Sequence, residues 1–396
     1  MARPRLTSAF AILLVTAGCR GRHAEVVYPP EGIPIADSAS TMERRWREWR
    51  LEPAWSLGGR SDRDTALLDP YLYAAAGDRL IVVEGDQRLH CFGPDGLLLW
   101  QFGGVGGGPK EFRQVRDLKV GPGGRIYVND PGNRRVTILT PEGKLERVVP
   151  IRDAPHSERI VPLPDPGRIL LIPLPAMLQK DLVTIDGSGA TIAVDSLPWP
   201  AYRELNDFSR QQVAAADALG SGRWVMGLVQ GNGWFVFDAG GPRSGRRFFI
   251  EPTEFAAFVQ ETFSDGSFGR KMVWTEPAAQ GIWLVGDTVF VRFGGKGPRA
   301  GHQLDLYSWE SGNYLQSVPL PEETAPVALA PGWLYLAGSE PAPWIRAYRR
   351  SELPDSLRQA ATAAPQEPQN RPPVSSGPPQ AAQRTAARSM RPQLEQ

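Results

Sequence analysis

The chain has 396 residues, 44 Lys and Arg against 43 Asp and Glu, a net charge of +1 and 41% hydrophobic content. It is long enough to bury a sizeable core without cross-links, and its near-neutral charge excludes the basic excess expected of a nucleic-acid binder. With 42 glycines and 38 prolines between short apolar runs, the composition describes a turn-dense globular protein.

In chain order, the first feature is an export signal. Arg3 and Arg5 precede an apolar run from Ala9 to Val15, followed by Thr16-Ala17-Gly18-Cys19. The run is far below the roughly 20 apolar residues a membrane-spanning helix needs. Small residues before a cysteine resemble the bacterial lipobox; the resemblance implies a signal peptide over 1–18 and lipidation of Cys19, which holds a chain at a membrane without spanning it. The alternative is a plain signal peptide cut near Ala17. Arg20 is not the aspartate that retains enteric lipoproteins at the inner membrane, so the same resemblance points to the outer membrane of a bacterial cell envelope. Residues 19–48 read as a tether, polar and proline-containing as far as about Ser40. The remaining cysteine, Cys91, lies in an apolar strand and leaves no disulfide.

Residues 49–350 carry a repeated strand-and-turn pattern that is clearest from Gln101 to Gly143. There a glycine-rich run leads to the strand Val115–Val120, the turn Gly121-Pro122-Gly123-Gly124, the alternating strand Arg125–Asn129, a turn over Asp130–Asn133, the strand Arg134–Thr140 and the turn Pro141-Glu142-Gly143. With its glycines and its Asp130, Asn133 and Arg134, this segment resembles the NHL-type repeat of β-propeller proteins. The resemblance implies an all-β, six-bladed ring. Its strand-turn signature recurs at Phe92–Gly96, Leu139–Gly143 and Ile185–Gly187, and more weakly at Phe235–Gly240, Tyr307–Gly312 and Ile345–Arg349. Six apolar strands precede these turns: Leu80–Val83, Ile126–Val128, Ile169–Ile172, Trp224–Leu228, Val289–Phe293 and Trp333–Leu336. The last unit lacks a fourth strand and the first has one to spare, so Arg50–Leu57 is expected to close the ring on the last blade. Residues 351–396, rich in Pro, Ala, Gln and Arg, read as a disordered tail.

In such a ring, one face receives the tight first-to-second and third-to-fourth turns, the other the long second-to-third and blade-to-blade links. The long links bring cations to one rim, and Arg113, Arg134, Arg203, Arg210, Arg270 and Lys271 are the candidate ligand-binding residues there, with Lys110 nearby. The residues leave a structural role open for the Asp130, Asn133 and Arg134 group, as turn bonds and a bridge between blades. Glu251–Phe263 is read as a helix capped by Thr253, with Phe255, Phe258, Val259 and Phe263 along one stripe. No metalloprotease, phosphate-loop or nucleophile-elbow motif occurs. The expectation is a non-catalytic, lipid-anchored envelope propeller that uses no cofactor and binds a partner protein or an anionic glycan through its long-loop face. The alternative is a metal-dependent hydrolase or lyase resembling the propeller lactonases, with His156, His302 and Asp117 near the axis.

Overall fold

The computed structural model describes residues 43–350 apart from 60–66, 68, 153–156, 166, 174–180, 197–211, 217–221, 230–232, 239–240, 243–246, 248, 252–256, 263–266, 274–275, 322–323 and 341. The expected signal peptide over 1–18, Cys19 and the expected tail over 351–396 therefore lie outside the described residues. The architecture is all-β, with helical structure limited to two short 3₁₀ turns at Pro122–Gly124 and Pro131–Asn133 among the described residues.

Antiparallel meanders follow one another along the chain. The first sheet comprises β2 (Pro70–Ala76), β3 (Arg79–Glu84), β4 (Arg88–Phe92) and β5 (Leu98–Gly103). The second comprises β6 (Asp117–Val120), β7 (Ile126–Asp130), β8 (Arg135–Leu139) and β9 (Leu145–Pro150). The third comprises β10 (Ser157–Pro162), β11 (Ile169–Pro173), β12 (Asp181–Ile185) and β13 (Thr191–Ser196). The next holds β14 (Gln212–Ala216), β15 (Trp224–Leu228), β16 (Trp234–Asp238) and β17 (Gly241–Pro242). A hairpin of β18 (Ala257–Thr262) and β19 (Phe268–Val273) intervenes before β20 (Ala279–Val285), β21 (Thr288–Phe293), β22 (Gln303–Ser308) and β23 (Tyr314–Pro319). The final sheet joins β24 (Ala325–Ala330), β25 (Trp333–Gly338) and β26 (Trp344–Arg350) to β1 (Leu51–Gly58). The first strands of these sheets, β2, β6, β10, β14, β20 and β24, each lie against the next, and β24 lies back against β2. That cyclic order is a propeller.

Each sheet is buried on both faces between its neighbours, and this explains its strand sequences. In β7, Ile126 and Val128 pack with Ile81 and Leu89 of the preceding sheet, while Tyr127 between them packs with Ile160 and Ile169 of the following one. A strand buried on both sides reads as a continuous apolar run rather than an alternation. Closure lies where the sequence puts it: β1 pairs antiparallel with β26 from Leu51 opposite Arg350 to Gly58 opposite Trp344, with a bulge between Pro53 and Trp55. Trp55 and Leu57 bury themselves against Leu80 and Phe92 of the first sheet.

Two expectations are corrected. The sequence predicts six units, of which five sheets carry four full strands while the outer strand of the β14–β17 sheet is reduced to Gly241–Pro242. Glycine has no side chain to pack there and proline no N–H for the ladder, and Arg247 exchanges two 2.9 Å backbone hydrogen bonds with Trp234 further along the same edge. The helix expected over Glu251–Phe263 is replaced by β18, paired from Ala257 opposite Val273 to Thr262 opposite Phe268. A helical stripe cannot anticipate a partner segment; Ser264-Asp265-Gly266 is turn chemistry of the kind that joins hairpin strands.

The N-terminal approach is fixed as well. Ser317 of β23 donates its N–H to Arg45 O at 2.9 Å and accepts from Arg47 N at 2.9 Å, in a parallel bridge opposite Trp46. Beside it the Arg44 guanidinium pairs with the fully buried Asp305 at 3.1 Å and with Glu251 at 2.6 Å. Ser317 Oγ adds a 2.5 Å hydrogen bond to Asp305, and Arg44 stacks 5.1 Å over Phe293. Burial works against the Arg44 charge, but Asp305 and Glu251 outweigh it and hold the guanidinium above its ordinary range. For Asp305 burial is the stronger influence and raises the carboxyl in spite of Arg44 and Ser317. The attraction between them is set by geometry: Arg44 Nε and Nη2 face Asp305 Oδ1 and Oδ2 at 3.4 and 3.1 Å.

Leu57→Ala is expected to cost about 2–5 kcal/mol, through lost burial and the cavity left at the closing strand. The measurement is urea unfolding monitored by tryptophan fluorescence, and a single transition shifted to lower urea is the expected result. Arg44→Ala strands a buried carboxylate and is expected to cost about 3–5 kcal/mol. In a double-mutant cycle the Arg44→Ala, Asp305→Ala pair then costs less than the sum of its singles.

Candidate functional site

The best-defined part of the long-link rim is the connection from β5 to β6, over residues 104–116. Its glycines allow a tight knot: Gly106 N donates to Phe112 O at 2.9 Å and Phe112 N to Gly104 O at 2.7 Å. Phe112, fully buried, plugs the gap beside Phe102, and Gly103 has a φ of 101° with no room for a Cβ against the Phe112 ring. Glu111 Oε2 receives Gly108 N at 2.8 Å, while Arg135 Nη2 clamps the carbonyls of Gly108 and Glu111 at 2.6 and 2.5 Å. The glycine run is thus a structural link.

The Asp130, Asn133 and Arg134 constellation serves the same link. Asp130 is wholly buried and accepts from Arg113 N at 3.3 Å, Gln114 N at 2.9 Å, Asn133 N at 3.3 Å and Asn133 Nδ2 at 2.7 Å. Asn133 reaches on to Gly106 O at 2.9 Å. Arg134 takes a left-handed φ of 51° at the end of the 3₁₀ turn, and its guanidinium donates to Ile151 O at 3.2 Å and Arg152 O at 2.6 Å. Two of its guanidinium nitrogens thus hold the following blade-to-blade link, while the residue remains exposed. Arg113 also has an exposed side chain on the rim, beside Gly107 and Gly132. Arg203 and Arg210 lie outside the described residues. Arg270 and Lys271 sit on β19 opposite Gln260 and Val259, and their side chains are outside the description. The structure therefore brings together only Arg113 and Arg134 of the six candidates.

What the sequence did not single out is a groove on the flank of the ring. It has a volume of about 860 Å³ and runs between the outer strand β5 and the start of β9, lined by Gln101, Phe102 and Gly103 with Arg88, Lys110 and Lys144. Arg88 has a carboxylate at 3.7 Å, from the exposed Asp86, and Lys144 lies close enough to the exposed Glu142 to help hold that carboxyl below its ordinary range, behind the effect of Thr140. Lys110 and Lys144 have no ion-pair partner within 4 Å among the described residues. Trp100 fixes β5 on this flank by donating to Pro141 O at 3.1 Å. The signal that could have found the groove is the conjunction of Arg88, Lys110 and Lys144 with the uncharged strand between them, but only the topology makes them neighbours.

A second cavity, of about 330 Å³, opens at the tight-turn end, where Ala76 and Gly77, Val285 and Gly286, and Ala330 and Pro331 meet. Its lining is mainly apolar, and Cys91 contributes a thiol that burial pushes up to about 12, which makes it a poor nucleophile. Asp117, the candidate axial oxygen ligand, is already engaged: Ile160 N donates to it at 2.9 Å and Lys119 Nζ lies 3.0 Å away. His302 precedes β22, the third strand of a different sheet, and His156 lies outside the described residues. Among the described residues no group of three His, Cys, Asp or Glu side chains is placed to share a metal.

No protein-family model matches the chain, and no curated protein matches its sequence. Among solved structures it is similar to virginiamycin B lyase from Staphylococcus aureus, at 11% identity over 76% of this chain and 99% of that one, with a TM-score of 0.41. It is also similar to a member of the DUF4221 family from Bacteroides vulgatus, at 10% identity over 77% and 99% of the two chains and a TM-score of 0.46. BamB from Moraxella catarrhalis follows at 8% identity, over 70% and 71%, with a TM-score of 0.34. The assignment as a propeller stands on the sheets themselves.

Asp130→Ala removes the acceptor of several N–H groups at once and is expected to destabilise the protein by about 3 kcal/mol. Arg113→Ala, at an exposed side chain, is expected to stay within about 0.5 kcal/mol of the parent. Urea titration of the two variants side by side checks the assignment of Asp130 to structure and Arg113 to the free surface.

Proposed function

We propose that this chain is a six-bladed, NHL-type propeller of the bacterial cell envelope, held at the outer membrane by a lipid on Cys19, which binds a partner without catalysing a reaction. The observation that carries the reading is the basic groove: three cationic side chains, Arg88, Lys110 and Lys144, line one concavity of a nearly neutral protein. Such a local excess favours an anionic partner, a protein or an acidic glycan. Arg113 on the adjoining rim extends the same basic surface. The strap through Arg44 and Arg45 supports the anchoring half of the proposal, because it ties the end of the 19–48 tether to a defined blade and so limits how the ring can face the membrane.

The test has two arms. Cys19→Ser is expected to move the protein from the membrane fraction to the soluble periplasmic fraction; retention in the membrane overturns the lipid anchor. Polygalacturonate and a polyglutamate peptide, titrated calorimetrically against the purified propeller, are the anionic probes. Lys110→Glu with Lys144→Glu is expected to weaken the binding of at least one of them about tenfold or more, with affinity falling as salt rises. Equal affinities for the variant and the parent overturn the groove as the site.

A further inference from the structure

Every propeller blade ends in an outer strand whose far edge has no partner within the blade, and exposed edges invite pairing with other chains. Here the edges are treated unequally. β9 carries Glu146 and Arg147, β13 carries Asp195 and β1 carries Glu52, all charges of the kind that discourage pairing. Among the outer strands of four residues or more, only β5, with the sequence LLWQFG, and β23, with YLQSVP, have no charged residue. β23 is covered: Arg45 and Arg47 of the protein's own N-terminal segment bond to Ser317 as the start of a fifth strand. β5 has no such cover among the described residues.

The β5 edge is competent for pairing. Gly104 N donates to Gln87 O at 3.2 Å, so the alternation of an antiparallel ladder turns the N–H groups of Phe102 and Trp100 inward and that of Gln101 outward, as far as the bulge at Leu99. The side chains of Leu98 and Leu99 are 44% and 48% exposed, and Leu97 in the preceding turn 60%. The strand is held rigidly by the Trp100 hydrogen bond to Pro141 O and by the packing of Phe102 on Phe112. The charges around the two uncharged edges are opposite in sign. The segment covering β23 is basic and meets Asp305 and Glu251, whereas the surroundings of β5 are Arg88, Lys110 and Lys144.

We infer that the β5 edge is a docking site for an extended, acidic segment of another protein, which adds to the first sheet as a fifth strand. The inference rests on the binding function proposed above and decides between its two partner classes: the occupant is a polypeptide, because an unpaired ladder edge offers hydrogen bonds in the spacing of a peptide backbone. Its apolar side chains lie on the exposed leucines and its carboxylates face the three cations.

The experiment uses the purified propeller and an eight-residue peptide of alternating valine and glutamate, with the same peptide N-methylated at alternate residues as a control. Binding of the unmodified peptide at micromolar to millimolar concentration, with the amide of Gln101 slowed in hydrogen exchange, is the expected result. The N-methylated peptide, which keeps every charge and loses half its backbone donors, is expected to bind at least about tenfold more weakly. Gln101→Pro removes an outward N–H on an edge where proline is tolerated, and it is expected to abolish that binding while the protein melts as the parent does. Equal affinity for the two peptides, or no binding of either, overturns strand docking. If charge reversal at Lys110 and Lys144 still weakens polygalacturonate or polyglutamate in that case, the basic binding surface survives and the strand inference alone fails. If sedimentation shows a dimer that Gln101→Pro dissolves, the edge belongs to a second copy and the acidic-partner inference is overturned.

Discussion

The constraint on which the rest of this structure depends is that no sheet has a solvent face to spare. Each blade buries apolar side chains on both sides, so each is stable only with a neighbour on either hand, and a linear array would leave two such faces in water. Closure of the ring is the solution. It is accomplished by the most sequence-distant pairing in the domain, β1 with β26, and reinforced by Trp55 and Leu57, which reach across to Leu80 and Phe92 of the first sheet. Long-range closure of this kind makes the ring depend on its ends, so the short strand before the first blade carries weight out of proportion to its length.

The polar groups that look most like functional residues are mostly spent on the joints between blades. Asp117 reaches from β6 to the backbone of β10, Asp130 gathers the N–H groups of the preceding link, and Arg134 and Arg135 cap carbonyls in the links on either side. Buried carboxylates pay a large desolvation cost, and several converging N–H donors are what offset it. What is left for binding is therefore what the joints do not use: the exposed Lys110 and Lys144 with the groove they share with β5, and Arg113 on the adjoining rim.

This division explains how much was legible in the sequence. The second strands were readable because runs such as Ile126–Val128 and Val289–Phe293 are apolar throughout, the pattern of burial on both faces, and the tight turns because Gly121–Gly124 and Gly286-Asp287 can be little else. The closing strand was readable by counting strands. The structural bonds of Arg134 were not readable, because its sequence neighbours reveal a turn but not the carbonyls of Ile151 and Arg152, which a later link brings within reach. The β18–β19 hairpin was missed because Phe258 and Val259 satisfy a helical stripe as well as a strand, and only the pairing with Met272 and Lys271 decides between them. The groove could not be read at all, since Arg88, Gln101, Lys110 and Lys144 become one surface only after two blades are docked side by side.

Edge chemistry carries the functional argument one step further than the loops do. A strand edge without charge invites pairing with other chains, and the charges on β1, β9 and β13 show the usual remedy. Where the remedy is missing from β23, the chain supplies its own cover, with basic residues set against Asp305 and Glu251. The same omission on β5, inside a surround of opposite sign, has the physical form of a position awaiting a cover of opposite charge. On this argument the rigid ring offers more than a rim of variable loops: the flank of the first blade presents a fixed row of backbone donors and acceptors, flanked by the cations that would select an acidic strand over a basic one.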